Sequence, residues 1–280
     1  MNIIDGKKIQ IEILKRVKEE LALLPYKPFF TDILIGSDPV NAKYVTMKKK
    51  TAEEIGFGYK DVVFDDNATT EEIVNVIQGL NEEKYMAGII VQLPLPAQFD
   101  KQAILDAVSP EKDVDVLGSV ASEFFYNNKS TLVLPTANAV IKILKSIDLD
   151  LDNKKIVILG QGPLVGKPVA YLLGNMGIPY EAVTKTTDEA VKNNLIKNAD
   201  ILISAMGSPH AVNSDMVKEG VIIIDAGTSE MEGSIVGDVD FASVGSKATY
   251  ITPTPGGVGP VTVACLFENV LQVAKRNTHE

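Results

Sequence analysis

The chain has 280 residues, 45% of them hydrophobic and 23% charged, with a formal net charge of −10. This length predicts about two domains with sizeable cores, the composition is that of a globular protein, and the acidic balance argues against nucleic acid or an anionic membrane as partner. One cysteine, Cys265, excludes an internal disulfide and a Cys-rich zinc site, and two histidines, His210 and His279, leave little material for a Ser-His-Asp triad or a His-rich metal centre.

The start, Met1 to Lys8, lacks both a long apolar stretch and a small-residue cleavage site, so no secretory leader is expected there. No apolar run approaches the roughly 18 residues of a membrane-spanning helix. Ile9, Ile13, Val17 and Leu21 recur every four residues and predict an amphipathic helix that stops before Pro25 and Pro28. Asp32 to Gly36 reads as a short buried strand, 41–55 as a helix closed by Gly56, and Tyr59 to Phe64 as a second strand. Thr69 and Glu72 form a capping box that opens a helix to about Leu80, and 87–91 is a third strand. After Leu134-Pro135 the pattern begins anew. A helix over about 137–147 precedes the apolar strand 155–159, a glycine-rich loop and a helix to about Leu173. Strands follow at 181–183, 201–204 and 221–224 with helices between, and an apolar helix runs from Val261 to about Ala274. The alternation predicts an α/β protein of two α/β domains, the second a Rossmann-type doubly wound parallel sheet. The expected division is 1–136 plus 262–280 for the first domain and 137–261 for the second.

Gly160-Gln161-Gly162, followed by Gly166, lies between an apolar strand and a helix. The first glycine suits a tight turn, the second lets backbone approach a pyrophosphate, and the helix N-terminus offers free N–H groups to that anion. A structural βα turn that binds nothing would look similar. At the end of the next strand, Thr184-Lys185-Thr186-Thr187 offers an ammonium and hydroxyls, with no carboxylate at that point. This favours NADP over NAD.

In the first half, Tyr44 and Lys48 are four residues apart on a predicted helix and share one face. A phenol can stack on a flat heterocycle and an amine can move protons, and the like charge of Lys49 and Lys50 favours the neutral form of Lys48. A solvated basic face is the competing reading. Gln92, in Val91-Gln92-Leu93-Pro94-Leu95-Pro96, should stand at the carboxyl end of a strand, where open parallel sheets place their ligands. Asp113 and Asp115 alternate in what reads as an extended stretch, so either could grip the donors of a pterin-like ring, or simply cap a turn. Thr252 to Pro260 is too rich in proline and glycine for a helix or central strand, and its glycines would let a ligand approach backbone.

Together, Tyr44-Val45-x-x-Lys48, Val91 to Pro96, Lys112-Asp113-Val114-Asp115 and Pro253-x-Pro255-Gly256-Gly257-Val258-Gly259-Pro260-x-Thr262 resemble the bifunctional methylenetetrahydrofolate dehydrogenase/cyclohydrolase family (FolD family), over nearly the whole chain. The resemblance implies a cytoplasmic homodimer with the folate between two domains. It implies NADP-dependent oxidation of 5,10-methylenetetrahydrofolate to the methenyl form, and hydrolysis of that to 10-formyltetrahydrofolate. By matching position it makes Lys48 the lysine of hydrolysis, positioned by Gln92, with Tyr44 stacking on the folate and Asp115 holding the pterin. Val91, Leu93, Pro255, Gly256, Gly257 and Val258 would line the folate. Gly160, Gln161, Gly162, Gly166, Lys185, Thr186 and Thr228 would hold the dinucleotide. Departures from the family's pattern are Gln161 in place of an arginine, Leu134-Pro135-Thr136-Ala137 for a Pro-Cys-Thr-Pro segment, Thr184-Lys185-Thr186 for Cys-His-Ser, Val116 for a glycine, and Asn41 for a serine. Most lie in the cofactor half. A cyclohydrolase with weak or NAD-linked dehydrogenase activity, or a non-catalytic folate- or nucleotide-binding homologue, are the alternatives.

Overall fold

The computed structural model describes the whole chain except residues 152, 232 and 278–280, so His279 lies outside the described residues. In chain order the elements are β1 (Asn2–Ile3), α1 (Gly6–Leu21), β2 (Phe29–Ile35), α2 (Pro39–Ile55), β3 (Gly58–Tyr59), β4 (Val62–Phe64), α3 (Thr70–Asn81), β5 (Met86–Val91), α4 (Lys101–Asp106) and α5 (Ser119–Tyr126). Then come α6 (Pro135–Ser146), β6 (Ile156–Leu159), α7 (Gly166–Asn175), β7 (Tyr180–Val183), α8 (Glu189–Asn198), β8 (Ile201–Ser204), β9 (Ile222–Asp225), β10 (Ser229–Met231), β11 (Ser234–Val236), α9 (Phe241–Val244), β12 (Tyr250–Ile251) and α10 (Val258–Arg276). None of the described helices is long and apolar enough to cross a membrane.

The fold is α/β, in two compact units. One comprises Met1–Ile11 and Pro135–Cys265, the other Glu12–Leu134 and Leu266–Glu280. This division differs from the expected one at the N-terminus, and the reason is long-range pairing. The Asn2 N–H donates to the Thr249 carbonyl (2.7 Å) and the Ile4 N–H to that of Ile251 (2.8 Å), so β1 completes the sheet of the later unit. Two-residue strands have no periodicity to read, and neither β1 nor β12 was expected.

The later unit holds a six-stranded, all-parallel sheet in the order β1-β12-β9-β8-β6-β7. The chain leaves β6 for β7 on one side and returns to β8 on the other. In such sheets the carboxyl ends of the strands at this reversal form the ligand crevice. Val157, Leu159, Leu202 and Ile223 form its core with Val183, Ile196 and Ile251. Val258 to Pro260, expected as loop, are already the first turn of α10. Proline costs nothing there, because N–H groups of a first turn have no intrahelical partner.

The other unit is built on β2, which pairs in parallel with β3 and β4 on one side and β5 on the other. The expected strand over 59–64 is thus two short ones. All six residues of β5 are buried, as in a strand covered on both faces. Ile33, Ile35, Ile73, Ile77, Met86 and Ile89 pack in this core. The capping box at Thr69 and Glu72 forms in both directions. Helices α4 and α5 were not anticipated. The C-terminal helix is stitched in by aromatic rings: Phe267 meets Phe30 edge-on (5.4 Å) and stacks on Phe57 (5.9 Å). Buried Asn269 also donates to the carbonyls of Val114 (2.8 Å) and Val133 (2.7 Å).

Candidate active site and family

Helix α2 begins directly beyond the carboxyl end of β2. Asp38 caps it, accepting from the N–H groups of Val40 and Asn41, with Pro39 in the first turn. Tyr44 and Lys48 follow one turn apart, both partly buried. The Lys48 Nζ donates to Gln92 Oε1 (2.9 Å) and lies 2.6 Å from Asp32 Oδ2. Gln92 sits just past β5, where strand-end logic put it. Its amide is oriented by donating to the Leu93 carbonyl (2.8 Å), with Asn41 Oδ1 at 3.5 Å, while Asn41 itself donates to the Pro94 carbonyl (3.0 Å). Asn41, where the resemblance expects serine, is therefore a buried strut behind Gln92.

The neighbours of Lys48 are not those expected. Lys49 turns to Asp61 (2.6 Å) and Lys50 to Glu54 (3.9 Å). Lys48 instead meets carboxylates. Asp32 is fully buried, and sequence reading missed it. The signal was there: a lone carboxylate inside an apolar strand is costly unless something pairs with it. Burial pushes the Asp32 carboxyl above the usual carboxylate range, against the pull of Lys48.

Asp113 and Asp115 are also not equivalent, as an extended stretch would make them. The Asp113 carboxylate accepts from the N–H groups of Leu117 (2.9 Å) and Gly118 (2.7 Å), closing a turn. It is the turn-capping residue of the pair. Asp115 is only partly covered, and burial pushes it up to about 6, opposed by the nearby charge of Lys48. Between them and the following helix, Val116 stands at φ 59°. A β-branched residue is strained there, which is why glycine suits this position.

In the six-stranded unit, the Gly160 N–H donates to the Val183 carbonyl (2.9 Å), so the loops after β6 and β7 are neighbours. Gly160 has φ 89°, and a side chain on it would overlap the Ala205 carbonyl. A side chain on Gly166 would overlap the Gly160 carbonyl. Gly162 differs: among the described residues, its chain neighbours apart, no atom lies within 4 Å of where its Cβ would be. No side-chain hydrogen bond caps α7 at Val165; in its first turn the Lys167 N–H donates to the Gly162 carbonyl (3.1 Å) and Pro168 carries no N–H. An open cradle at an uncapped helix start is what a dinucleotide pyrophosphate fits. Lys185 and Thr186 are exposed beyond β7, where Thr184 Oγ1 lies 2.9 Å from Thr186 Oγ1, and Thr228 is exposed beyond β9.

The loop after β12 is held by the N-terminal segment. The Gly6 N–H donates to the Gly256 carbonyl (3.0 Å), and a Gly6 side chain would overlap Gly257. Gly257 and Val258 are buried, and Pro255 is exposed.

Residues 4–115 match the tetrahydrofolate dehydrogenase/cyclohydrolase catalytic domain, and residues 135–278 match the NAD(P)-binding domain of the same proteins. The chain belongs to the tetrahydrofolate dehydrogenase/cyclohydrolase family. It is 38% identical over 276 residues to the bifunctional protein FolD of Clostridium tetani, covering 97% of this chain and 99% of that one. Among solved structures of the family, the bifunctional FolD of Campylobacter jejuni is 37% identical, with a TM-score of 0.92 and 99% of each chain covered. The Trypanosoma brucei FolD, solved with NADP and an inhibitor, is 36% identical at a TM-score of 0.92, covering 99% of this chain and 98% of that one. As a member of this family, the chain is an enzyme of α/β architecture with a Rossmann-type cofactor half.

Proposed function

We propose that the chain oxidises 5,10-methylenetetrahydrofolate with NADP and hydrolyses the resulting methenyl compound to 10-formyltetrahydrofolate, with Lys48 as the proton-transfer group of the second step. The observation that carries this is the Lys48 ammonium, 2.9 Å from Gln92 Oε1 and one helical turn from Tyr44. Tyr44 stacks on the folate ring. Asp115 accepts from the amino and ring N–H groups of the pterin, and Gln92 holds Nζ toward the reacting carbon. Val91 and Leu93 line the ring, and Pro255, Gly256, Gly257 and Val258 supply further lining.

A bound NADP would supply the acceptor for a hydride from the methylene carbon, whose cation is stabilised by its flanking nitrogens. This half of the reaction asks the protein chiefly for alignment. The loop from Gly160 through Gln161 and Gly162 to Gly166 seats the pyrophosphate. Lys185 and Thr186 meet the ribose phosphate, and Thr228 contributes from the loop after β9. Hydrolysis then needs a proton moved from water and a proton delivered to the departing nitrogen, which an amine in contact with both can do. The enzyme works in the cytoplasm as a homodimer, with small-molecule partners and no nucleic acid or membrane.

The test follows methenyl absorbance with NADP, then NAD, then with methenyl substrate supplied directly. The expected result is NADP-linked formation followed by decay. Lys48→Met is expected to lower hydrolysis by roughly 100-fold or more while keeping measurable oxidation. Full-rate hydrolysis in that variant would remove Lys48 from the chemistry, and folate binding with neither turnover would make the chain a binding protein.

A further inference from the structure

The proposed hydrolysis leaves one group unused, the carboxylate of Asp32. It comes from the middle of β2, is fully buried, and places Oδ2 2.6 Å from Lys48 Nζ. Neither oxygen meets a partner in hydrogen-bond geometry among the described residues, so Oδ2 is held by the ion pair and Oδ1 by nothing. An unpaired oxygen in a dry interior is expensive, and a hydrophobic residue would suit a strand core better. The other groups around it are accounted for. Tyr59 donates its hydroxyl to the Asp32 backbone carbonyl (3.2 Å), Lys49 pairs with Asp61, and Asp113 is occupied in its turn. Asp115 also feels the charge of Lys48 and is repelled by Asp32. Among the described residues, Lys48 is the one cation that Asp32 is paired with.

We propose that Asp32 is a positioning residue that acts through Lys48 as the store of a relayed proton. As water adds to the methenyl carbon, its O–H bond breaks and the proton passes to Nζ while Nζ gives one of its own to Asp32 Oδ2. The carbinolamine then collapses. The C–N5 bond breaks, the Asp32 proton returns through Nζ to N5, and the hydroxyl proton leaves to solvent as the carbonyl forms. One water is consumed and one proton released, as hydrolysis of the cation requires. Burial, which lifts the Asp32 carboxyl, makes it a willing acceptor. Gln92 keeps Nζ aimed throughout. This rests on the reading of Lys48 given above.

The test is Asp32→Asn, which keeps the shape and removes the acceptor. The relay expects the turnover number for hydrolysis to fall at least tenfold further than that for oxidation, with the Michaelis constant for folate little changed. The acid limb of the hydrolysis pH profile should lose the contribution of Asp32 and keep only that of Asp115, and Asp32→Glu should recover part of the rate. Hydrolysis at the wild-type rate with an unchanged acid limb overturns the relay. A loss shared equally by both activities also overturns it, since that is what a structural role predicts. Should Asp32→Asn not fold, carboxyl infrared difference spectra of wild type against Lys48→Met read the same pair. The relay expects an ionised Asp32 in wild type at pH 7 and a protonated one in the variant, and identical spectra refute it. If the wild-type protein hydrolyses nothing, the reading of the enzyme fails instead, and the spectra still decide the coupling.

Discussion

Replacing Gly162 by alanine separates the cofactor loop's binding role from its folding role. Among the described residues, its chain neighbours apart, no atom lies within 4 Å of the new methyl, and Gly162 is not among the glycines with positive φ. The fold should therefore tolerate it, and reduced freedom of the unfolded chain adds about 0.4–1 kcal/mol of stability. Binding should suffer. A methyl needs more room from a phosphate oxygen than an N–H donor does, so the pyrophosphate is pushed off the first turn of α7. Losing one charge-assisted hydrogen bond costs about 1.5–3 kcal/mol, or roughly ten- to 100-fold in affinity. The assay is the NADP dependence of oxidation, beside thermal unfolding. The Michaelis constant for NADP should rise at least about tenfold with an unchanged or raised melting temperature, and hydrolysis of supplied methenyl substrate should persist. Gly160→Ala is the contrast. It forces a side chain into positive φ and against the Ala205 carbonyl, so it should distort the carboxyl ends of β6 and β8 before affinity can be read. An unchanged constant for NADP in Gly162→Ala would show that the pyrophosphate does not sit on this loop.

Two further outcomes are open to direct measurement. Lys185→Ala should raise the Michaelis constant for NADP by about tenfold, the worth of one exposed charge-assisted contact, and leave that for NAD unaltered; equal effects would detach Lys185 from the 2′-phosphate. Stability should fall between pH 5 and pH 7.5. Burial pushes Asp113, Asp115 and Asp225 up to about 6, so each favours the protonated folded state. The stability this brings is complete below about pH 4 and is lost as pH rises through about 6, on the order of 3 kcal/mol for a fully buried group. The carboxylates held low, Glu72, Asp106 and Asp200, act oppositely but only in more acid solution. Melting temperatures at pH 5.5 and 7.5 check this, and a higher value at pH 7.5 would contradict it.

What the sequence makes legible is what local periodicity carries. Tyr44 and Lys48 are four apart on a helix, so their shared face follows from geometry alone. Gln92 follows from a strand end, and the glycine loop from its strand–loop–helix setting. What stays hidden depends on partners distant in the chain or on side chains bonding to backbone. Asp113 and Asp115 alternate like strand residues, but hydrogen bonds from Leu117 and Gly118 to Asp113 turn the chain instead. Lys49 and Lys50 look like electrostatic neighbours of Lys48 until Asp61 and Glu54 draw them away. The pairing of Asn2 with Thr249 leaves no local trace, so the edge strand it forms cannot be read from the sequence.

Asn269 and Phe267 also govern the order in which the protein can be made. The segment Glu12–Leu134 lacks its last aromatic layer, and the Val114 and Val133 carbonyls lack their donor, until Phe267 and Asn269 have been synthesised. Pro135–Cys265 emerges as one continuous stretch and waits only for a short edge strand already synthesised. The bulk of the catalytic half is thus made before Pro135–Cys265 but completed after it, and its half-built sheet is the surface that needs shielding during translation.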